Sequence, residues 1–423
     1  MKVFLDSIGC RLNQSEIEKL ALSFRAKGHE IVTDAASADL VIVNTCAVTS
    51  AASADSRNKL RGAARSGKAR VVATGCYATI DPQTVTQLPS VDLLVPNSEK
   101  DHLISLVLGS DDYYPKTYLS RQPLPGSHRR TRAFIKVQDG CDNFCTFCIT
   151  RIARGGSCSQ SETEIFEDIS SALEGGAKEI VLSGVNLGAW GRELEPQNTL
   201  ALLIKRIVKR FSPLRIRLSS LEPWDIDDEF LEILSVPGFC HHLHLPLQSG
   251  SDAVLKRMRR RSLKADYQSV IYRLRRKSPE IAITTDLMVG FPGENEKEFK
   301  DSIDFVGSME YAGGHVFSFS TRPGTAAEKL PCQVPSSIKK IRSAAMRDVI
   351  AQSAIRYRKQ FLGREVSVLW EKSIPTNGNW CLSGLTDNYL RVETLSKKNR
   401  YNKVTQAEIT NLNNLVLQAK ELS

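Results

Sequence analysis

The stretch 139-DGCDNFCTFCITRIARG-155 gathers three cysteines, Cys141, Cys145 and Cys148, within eight residues, with no obvious partner ligand beside them. It follows 133-AFIKVQ, a run with the length and composition of a strand. Five more such runs follow: 179-EIVLSG, 215-RIRLSS, 242-HLHLPL, 283-ITTDLMVG and 315-HVFSFS, with helical patterns between them. Six strand–helix units in succession predict a parallel barrel that stays incomplete, because a closed eight-stranded one would need two more. The cysteine loop then leaves the carboxyl end of the first barrel strand, where barrels keep their chemistry.

The residues before the barrel follow a related plan. Strands are expected at MKVFLDSIG, 39-DLVIVNT and 69-ARVVATG, with helices over 14-QSEIEKLALSFRAKG and about residues 49–66. Apolar strand-length runs separated by amphipathic segments indicate an open parallel sheet with crossover helices. Cys10, Cys46 and Cys76 each come directly after one of those strands. In such a sheet the carboxyl ends share one edge, so three thiols far apart in sequence can meet there.

Residues 109–131 carry Gly, Ser, Pro and charge without periodicity and are expected to be a linker between a domain at 1–108 and the barrel at 132–358. From 364-REVSVLW onward, short alternating strands and the turn signals TNGN and TDN predict a small antiparallel barrel over 361–423. The fold class is thus α/β, with a β-barrel at the carboxyl end.

The composition, 41% apolar and 25% charged, is that of a globular protein. No run of about twenty apolar residues occurs, and the amino-terminal apolar run is short for a secretory signal. No membrane association and a cytoplasmic location are therefore expected. In that setting ten cysteines speak for metal or redox chemistry rather than a disulfide framework. A net charge of +10 favours a polyanionic partner.

Structural zinc takes four ligands, usually as two pairs, and no second pair follows Cys148. Cys158 or His128 could complete a zinc site, but neither has finger-like spacing. An iron–sulfur cluster is normally held by four thiolates, so three leave one iron with an open position. That iron could chelate a small molecule and pass it an electron.

The cysteine spacing, with Phe147 directly before the last thiol, resembles the radical S-adenosylmethionine enzymes. The whole chain is similar to their methylthiotransferase family, through 8-IGCRLNQSE, 43-VNTCAVT, 74-TGCYA, 134-FIKVQDGCDNFCTFC, 182-LSGVNLGAWG, 217-RLSSLEP, 244-HLPLQSGS, 285-TDLMVGFPGE and 317-FSFSTRPGT. Within the family the branch acting on threonylcarbamoyladenosine in tRNA is the best match. The isopentenyladenosine branch and the branch acting on a ribosomal-protein aspartate are alternatives, as is a non-catalytic iron–sulfur RNA-binding protein. Where the family leads one to expect a run like IIPYARG, this chain has 149-ITRIARG-155, with Arg151 and Ile152 replacing proline and tyrosine. Thr321 stands where the branch more often has proline.

The resemblance implies two 4Fe-4S clusters, one on Cys141, Cys145 and Cys148 and one on Cys10, Cys46 and Cys76, with S-adenosylmethionine as cofactor. One cofactor molecule would donate the methyl group and a second would yield the 5′-deoxyadenosyl radical that takes hydrogen from C2 of the adenosine at position 37. Candidate cofactor contacts are Phe147, Ser183, Gly184, Asn186, Ser220, Glu222, Gln248 and Asp286, most of them at or after barrel strands. The implied partners are a tRNA anticodon stem-loop, a low-potential electron donor of flavodoxin or ferredoxin type, and a sulfur source. A monomer is expected. Segment 256–277 holds ten Lys or Arg against one acidic residue, so Lys256, Arg257, Arg259, Arg260 and Arg261 are candidate phosphate contacts, extended by Arg129 and Arg130. Trp380 and Tyr389 could stack on bases. His241, His242 and His244 read as core or surface histidines rather than ligands.

Overall fold

The computed structural model describes residues 1–63, 69–109, 121, 131–212 and 214–422. Arg129, Arg130 and the last residues of the helix expected over 49–66 lie outside them. The chain divides into two compact units: Met1–Asn143 with Cys148–Ala177 and Ser183–Val185, and Phe144–Phe147 with Lys178–Leu182 and Asn186–Ser423.

In the first unit, strands β1 (Lys2–Ser7), β2 (Glu30–Ile31), β3 (Leu40–Thr45), β4 (Arg70–Gly75) and β5 (Leu93–Val95) form one sheet in the order β2-β1-β3-β4-β5. Every pairing is parallel. The central strand β3 is buried at all six positions, as a parallel strand covered on both faces must be. Its Leu40 and Ile42 pack with Ile17, Leu20 and Phe24 of helix α1 (Arg11–Ala26) and with Leu103, Ile104 and Val107. Val41 and Val43 face the other way, toward Leu60 of α2 (Ser50–Ala63) and Tyr77 of α3 (Cys76–Ile80). Sequence reading finds β1, β3 and β4 but misses β2 and β5, which are only two and three residues long. Helix α1 buries Ile17, Leu20, Ala21 and Phe24 at helical spacing, and the chain leaves it through Gly28 at φ +75. Strands β6 (Arg132–Lys136), β7 (Gln138–Asp139) and β8 (Cys158–Ser159) follow, β7 and β8 antiparallel. Within the segment read as a linker, Arg121 is buried, its guanidinium on the carbonyls of Ser15 and Phe134, both at 3.1 Å, and on Glu18 at 3.0 Å.

The five later barrel strands are β9 (Glu179–Ser183), β10 (Arg215–Leu218), β11 (His242–His244), β12 (Ala282–Val289) and β13 (Gly313–Ser318). They run parallel, with bridges at Ile216–Phe239 and Ser220–His244 joining β10 to the β11 region. All six strands read from the sequence are therefore present, in a partial barrel. After the helix Ser336–Lys359 come β14 (Glu365–Thr376), β15 (Asn379–Thr386), β16 (Arg391–Ser396), β17 (Val404–Asn413) and β18 (Val416–Glu421). They close a barrel in the order β14-β15-β16-β18-β17 around Val368, Trp370, Leu382, Val392, Ala407, Ile409 and Leu417. The TNGN signal is the β14–β15 hairpin, with Asn377 and Gly378 both at positive φ as a two-residue turn of that hand needs. No helix among the described residues is long and apolar enough to cross a membrane.

The carboxyl-terminal barrel is seated on the amino-terminal ends of β9, β10 and β11. Arg217 and Glu179 form an ion pair at 2.6 Å with neither side chain exposed, and Arg217 also donates to the carbonyls of Thr386 (3.1 Å) and Asp387 (2.7 Å). The Tyr389 ring lies 5.0 Å from the Arg217 guanidinium and stacks on His242 at 4.6 Å. That ring is engaged in the seat, not presented to a base, and Trp380 is half-buried against the barrel core. His241 Nδ1 and Asp387 Oδ2 are 3.0 Å apart.

The bond to Asp387 raises the His241 pKa above its ordinary value, and His241 holds Asp387 low although burial pushes the other way. A histidine raised in the folded state contributes stability that is complete below its unfolded value, about 6.5, and lost as pH rises through the higher folded one. The melting temperature is therefore expected to fall as pH rises from about 6.5 more steeply for the wild type than for His241→Gln. Parallel melting profiles would exclude the contribution.

Candidate functional site

β1, β3 and β4 are neighbours, with Ser7 opposite Asn44 and Thr45 opposite Gly75, so their carboxyl ends lie side by side. Cys10, Cys46 and Cys76 follow them at the amino-cap of α1, directly after β3, and as the first residue of α3. The turn before Cys10 requires glycine: Gly9 has φ +94, and a Cβ there would lie 2.5 Å from Cys46 Sγ. Gly75, before Cys76, has φ +95, and its missing Cβ would meet Asn44 and the Thr45 carbonyl at 2.4 Å. Asn13 ties the first two turns together, donating to the carbonyls of Ile8 at 2.8 Å and Thr45 at 3.1 Å. Ser56 Oγ accepts from Cys46 N at 3.0 Å, and Asn97 Nδ2 lies 3.7 Å from Cys76 Sγ.

Cys46 and Cys76 are buried and Cys10 is exposed. Burial pushes the Cys46 thiol up to about 11, and the charges of Cys10 and Cys76 add to the rise while Arg154 opposes it. The structure thus brings the three thiols into electrostatic reach of one another. All three are free of disulfides. Among the described residues no three His, Cys, Asp or Glu groups converge as a single ion requires. A cluster makes a different demand, since each thiolate binds its own iron and the donors need not meet at a point. Three free thiols on adjacent strand ends, with glycine where a Cβ would crowd them, fit that group.

In the second stretch, Gly140 precedes Cys141 with φ +65, and a Cβ there would sit 1.7 Å from the Gly156 carbonyl oxygen. Cys141 N donates to Gly155 O at 3.1 Å, and Asn143 N points to Cys141 Sγ at 3.4 Å. A glycine at positive φ therefore precedes three of the six candidate ligands, a Gly-Cys signal that sequence reading passed over. Cys148 belongs with Cys141 to the first unit, and Cys145 to the second.

In the second unit, Thr146 is bonded to the backbone of Arg257 and Met258 at 3.0 and 3.1 Å, and Phe147 packs against a cluster that includes Met258, Phe291 and Phe319. Arg260 Nη1 lies 3.7 Å from Cys145 Sγ. The same guanidinium pairs with Glu222, donates to Pro246 O at 2.9 Å and lies 4.8 Å from the Trp224 ring. The structure so joins Glu222 to the Cys145 loop. Gln248, at φ +73, is locked to β12 by backbone bonds to Asp286 (2.9 Å) and Met288 (2.8 Å). Asp286 Oδ2 is 3.3 Å from His244 Nε2, and its Oδ1 is buried with no partner. Ser220 bridges to His244, and Asn186 is buried. Ser183 and Gly184 fall in the first unit, where Ser183 O accepts from Val137 N at 2.9 Å.

The basic run does not present one face. Arg260 is 8% exposed and turned inward, so the phosphate contact expected of it is corrected by its position. Arg257 pairs with Glu298 at 2.6 and 3.0 Å. Lys256, Arg259 and Arg261 are exposed, and Arg261 lies 5.5 Å from the Trp224 ring. Composition counts charges without distinguishing these directions. Sequence reading also missed His315 and Phe317, exposed on the face of β13 that they share with Asp286 and Met288 of β12.

Residues 2–96 match the model of "Uncharacterized protein family UPF0004", and residues 135–306 that of the "Radical SAM superfamily". The chain is 36% identical over 406 residues to the threonylcarbamoyladenosine tRNA methylthiotransferase MtaB of Thermotoga maritima, covering 94% of this chain and 92% of that one. It is 33% identical to the MtaB of Bacillus subtilis, covering 96% and 93%. A tRNA-2-methylthio-N(6)-dimethylallyladenosine synthase of Clostridium tetani is 30% identical, covering 99% and 96%. Among solved structures, the radical S-adenosylmethionine methyltransferase TsrM of Kitasatospora setae matches with TM-score 0.59 at 14% identity, covering 77% of each chain. The cobalamin-dependent radical enzyme OxsB matches with TM-score 0.52 at 11% identity, covering 85% of this chain and 56% of that one. The chain belongs to the radical S-adenosylmethionine methylthiotransferase family. It is an enzyme of that class, and S-adenosylmethionine with a 4Fe-4S cluster is its cofactor set.

Proposed function

We propose that this enzyme transfers a methylthio group to C2 of threonylcarbamoyladenosine at position 37 of tRNA. The observation that carries this reading is the likeness to enzymes of that name over 94% of the chain. The proposed organisation is an amino-terminal domain at 1–108, a linker at 109–131, the radical core at 132–358 and an RNA-binding barrel at 361–423.

Cys141, Cys145 and Cys148 would hold the cluster that binds S-adenosylmethionine, and Cys10, Cys46 and Cys76 a second, auxiliary cluster. When bound, these groups supply the electron, the radical and the sulfur. The chain's own residues hold and shield. Burial of Cys76 among Val43, Ala73 and Tyr77, and burial of Cys46, shield two of the three thiols from water. Phe147, Ser183, Gly184, Asn186, Ser220, Glu222, Gln248 and Asp286 are the proposed cofactor contacts, with Asp286 offering an unpaired carboxylate oxygen. Lys256, Arg259 and Arg261 remain the proposed phosphate contacts in the basic run. An anticodon stem-loop, a low-potential flavodoxin- or ferredoxin-like donor, a sulfur source, a monomeric state and a cytoplasmic location complete the proposal.

Mass spectrometry of digested tRNA from cells with and without the gene tests it. Loss of the 2-methylthio derivative of threonylcarbamoyladenosine, with the unmodified form accumulating, is the expected result. The similarity to dimethylallyladenosine enzymes supplies the second reading, and loss of that derivative instead would establish it.

A further inference from the structure

Five charged side chains are packed beside the three thiols at the sheet edge. Arg154, on the short helix Thr150–Arg154, has a side chain only 2% exposed. Its guanidinium donates to Asn13 Oδ1 at 2.6 Å, to Glu16 Oε1 at 2.9 Å and to both Asp139 oxygens at 3.0 Å. Glu16 also takes Lys100 at 2.8 Å and Lys136 at 3.4 Å, and Lys136 reaches Asp139 at 2.5 Å. Among the described residues three cations thus face two anions, one positive charge in excess in a region that is largely closed to water. A buried charge without its counter-charge is costly, so the arrangement calls for a further anion.

The same helix reaches two of the thiols, and the turn before the third, through one intermediary. Asn13, held by Arg154, lies 3.7 Å from Cys10 Sγ and donates to the carbonyl of Thr45, the residue before Cys46. Asn97 donates to the carbonyl of Ala153 at 2.9 Å and lies 3.7 Å from Cys76 Sγ.

We propose that Arg154 is a positioning residue of the auxiliary site: it fixes the turns that carry Cys10 and Cys46, and its buried positive charge raises the reduction potential of the cluster held there. The proposal rests on the reading of Cys10, Cys46 and Cys76 as cluster ligands. Reduction adds negative charge to the cluster, and a fixed cation nearby stabilises the more negative state. Asp139 stands two residues before Cys141, so the same guanidinium also braces the start of the other cysteine loop.

The test uses the full chain with Cys141, Cys145 and Cys148 replaced by alanine, so that only the auxiliary cluster remains. Iron and sulfide content and a redox titration followed by electron paramagnetic resonance are the readouts. In this parent, Arg154→Met is expected to shift the midpoint potential downward and Arg154→Lys to stay near the parent value. Glu16→Gln removes an anion and is expected to shift it upward. An Arg154→Met protein that carries its cluster at the parent potential overturns the proposal. Should that variant take up no cluster, Glu16→Gln decides, an upward shift supporting the proposal and an unmoved potential overturning it. A parent without any cluster would fell the ligand reading itself, an outcome distinct from a loaded cluster that ignores the charge.

Discussion

Alanine at Cys46 is expected to abolish methylthiolation of tRNA, at least about a thousand-fold, while leaving cleavage of S-adenosylmethionine to 5′-deoxyadenosine measurable. Alanine at Cys145 is expected to abolish both. The split follows from where the thiols sit. Cys46 directly follows a strand of the amino-terminal sheet, and its neighbours are Ser56 and the Gly9 turn. Cys145 belongs to a loop fastened through Thr146 to Arg257 and Met258, beside Arg260. Each site can then fail while the other stands. Chromatography of the nucleosides and of 5′-deoxyadenosine from one reaction reads both quantities. If the Cys46 variant still methylthiolates, or loses cleavage as fully as the Cys145 variant, the two-site assignment falls.

Arg217→Ala is expected to cost about 3–5 kcal/mol of stability, the usual penalty for removing one partner of a buried ion pair. Neither Glu179 nor Arg217 has any exposed side-chain surface, so the remaining carboxylate would keep only Arg215, at 3.1 Å, as a counter-charge. The substitution would also remove two hydrogen bonds to the loop between β15 and β16. Replacing the whole set, as Glu179→Leu with Arg217→Met and Arg215→Met, is expected to recover much of the loss, because well-packed apolar side chains need no counter-charge. Urea denaturation of both variants checks this, and a loss below about 1 kcal/mol for Arg217→Ala would contradict the described burial.

Much of the fold is legible in the sequence because its signals are local. Strands such as 40-LVIVNT-45 announce themselves as apolar runs, and the thiols after β1, β3 and β4 mark a sheet edge. β2 and β5 escape because two or three residues carry no periodicity. The candidate site is legible as positions but not as partners. Arg260 reads as one more cation in a basic run, and only the fold turns it toward Glu222 and Cys145. Arg154 likewise reads as part of the ITRIARG segment, yet its partners come from residues 13, 16 and 139. Tertiary pairing of this kind leaves no trace in spacing.

The seat beneath the carboxyl-terminal barrel bears on how such a chain can be recombined. Residues 361–423 look like a detachable module, but their footing is cut into another segment: Arg217, Glu179, His241 and His242 grip Thr386, Asp387 and Tyr389. A chimera that borrowed only the last sixty or so residues from a relative would inherit a plug without its socket. The natural unit of exchange is the barrel together with the strand ends that receive it.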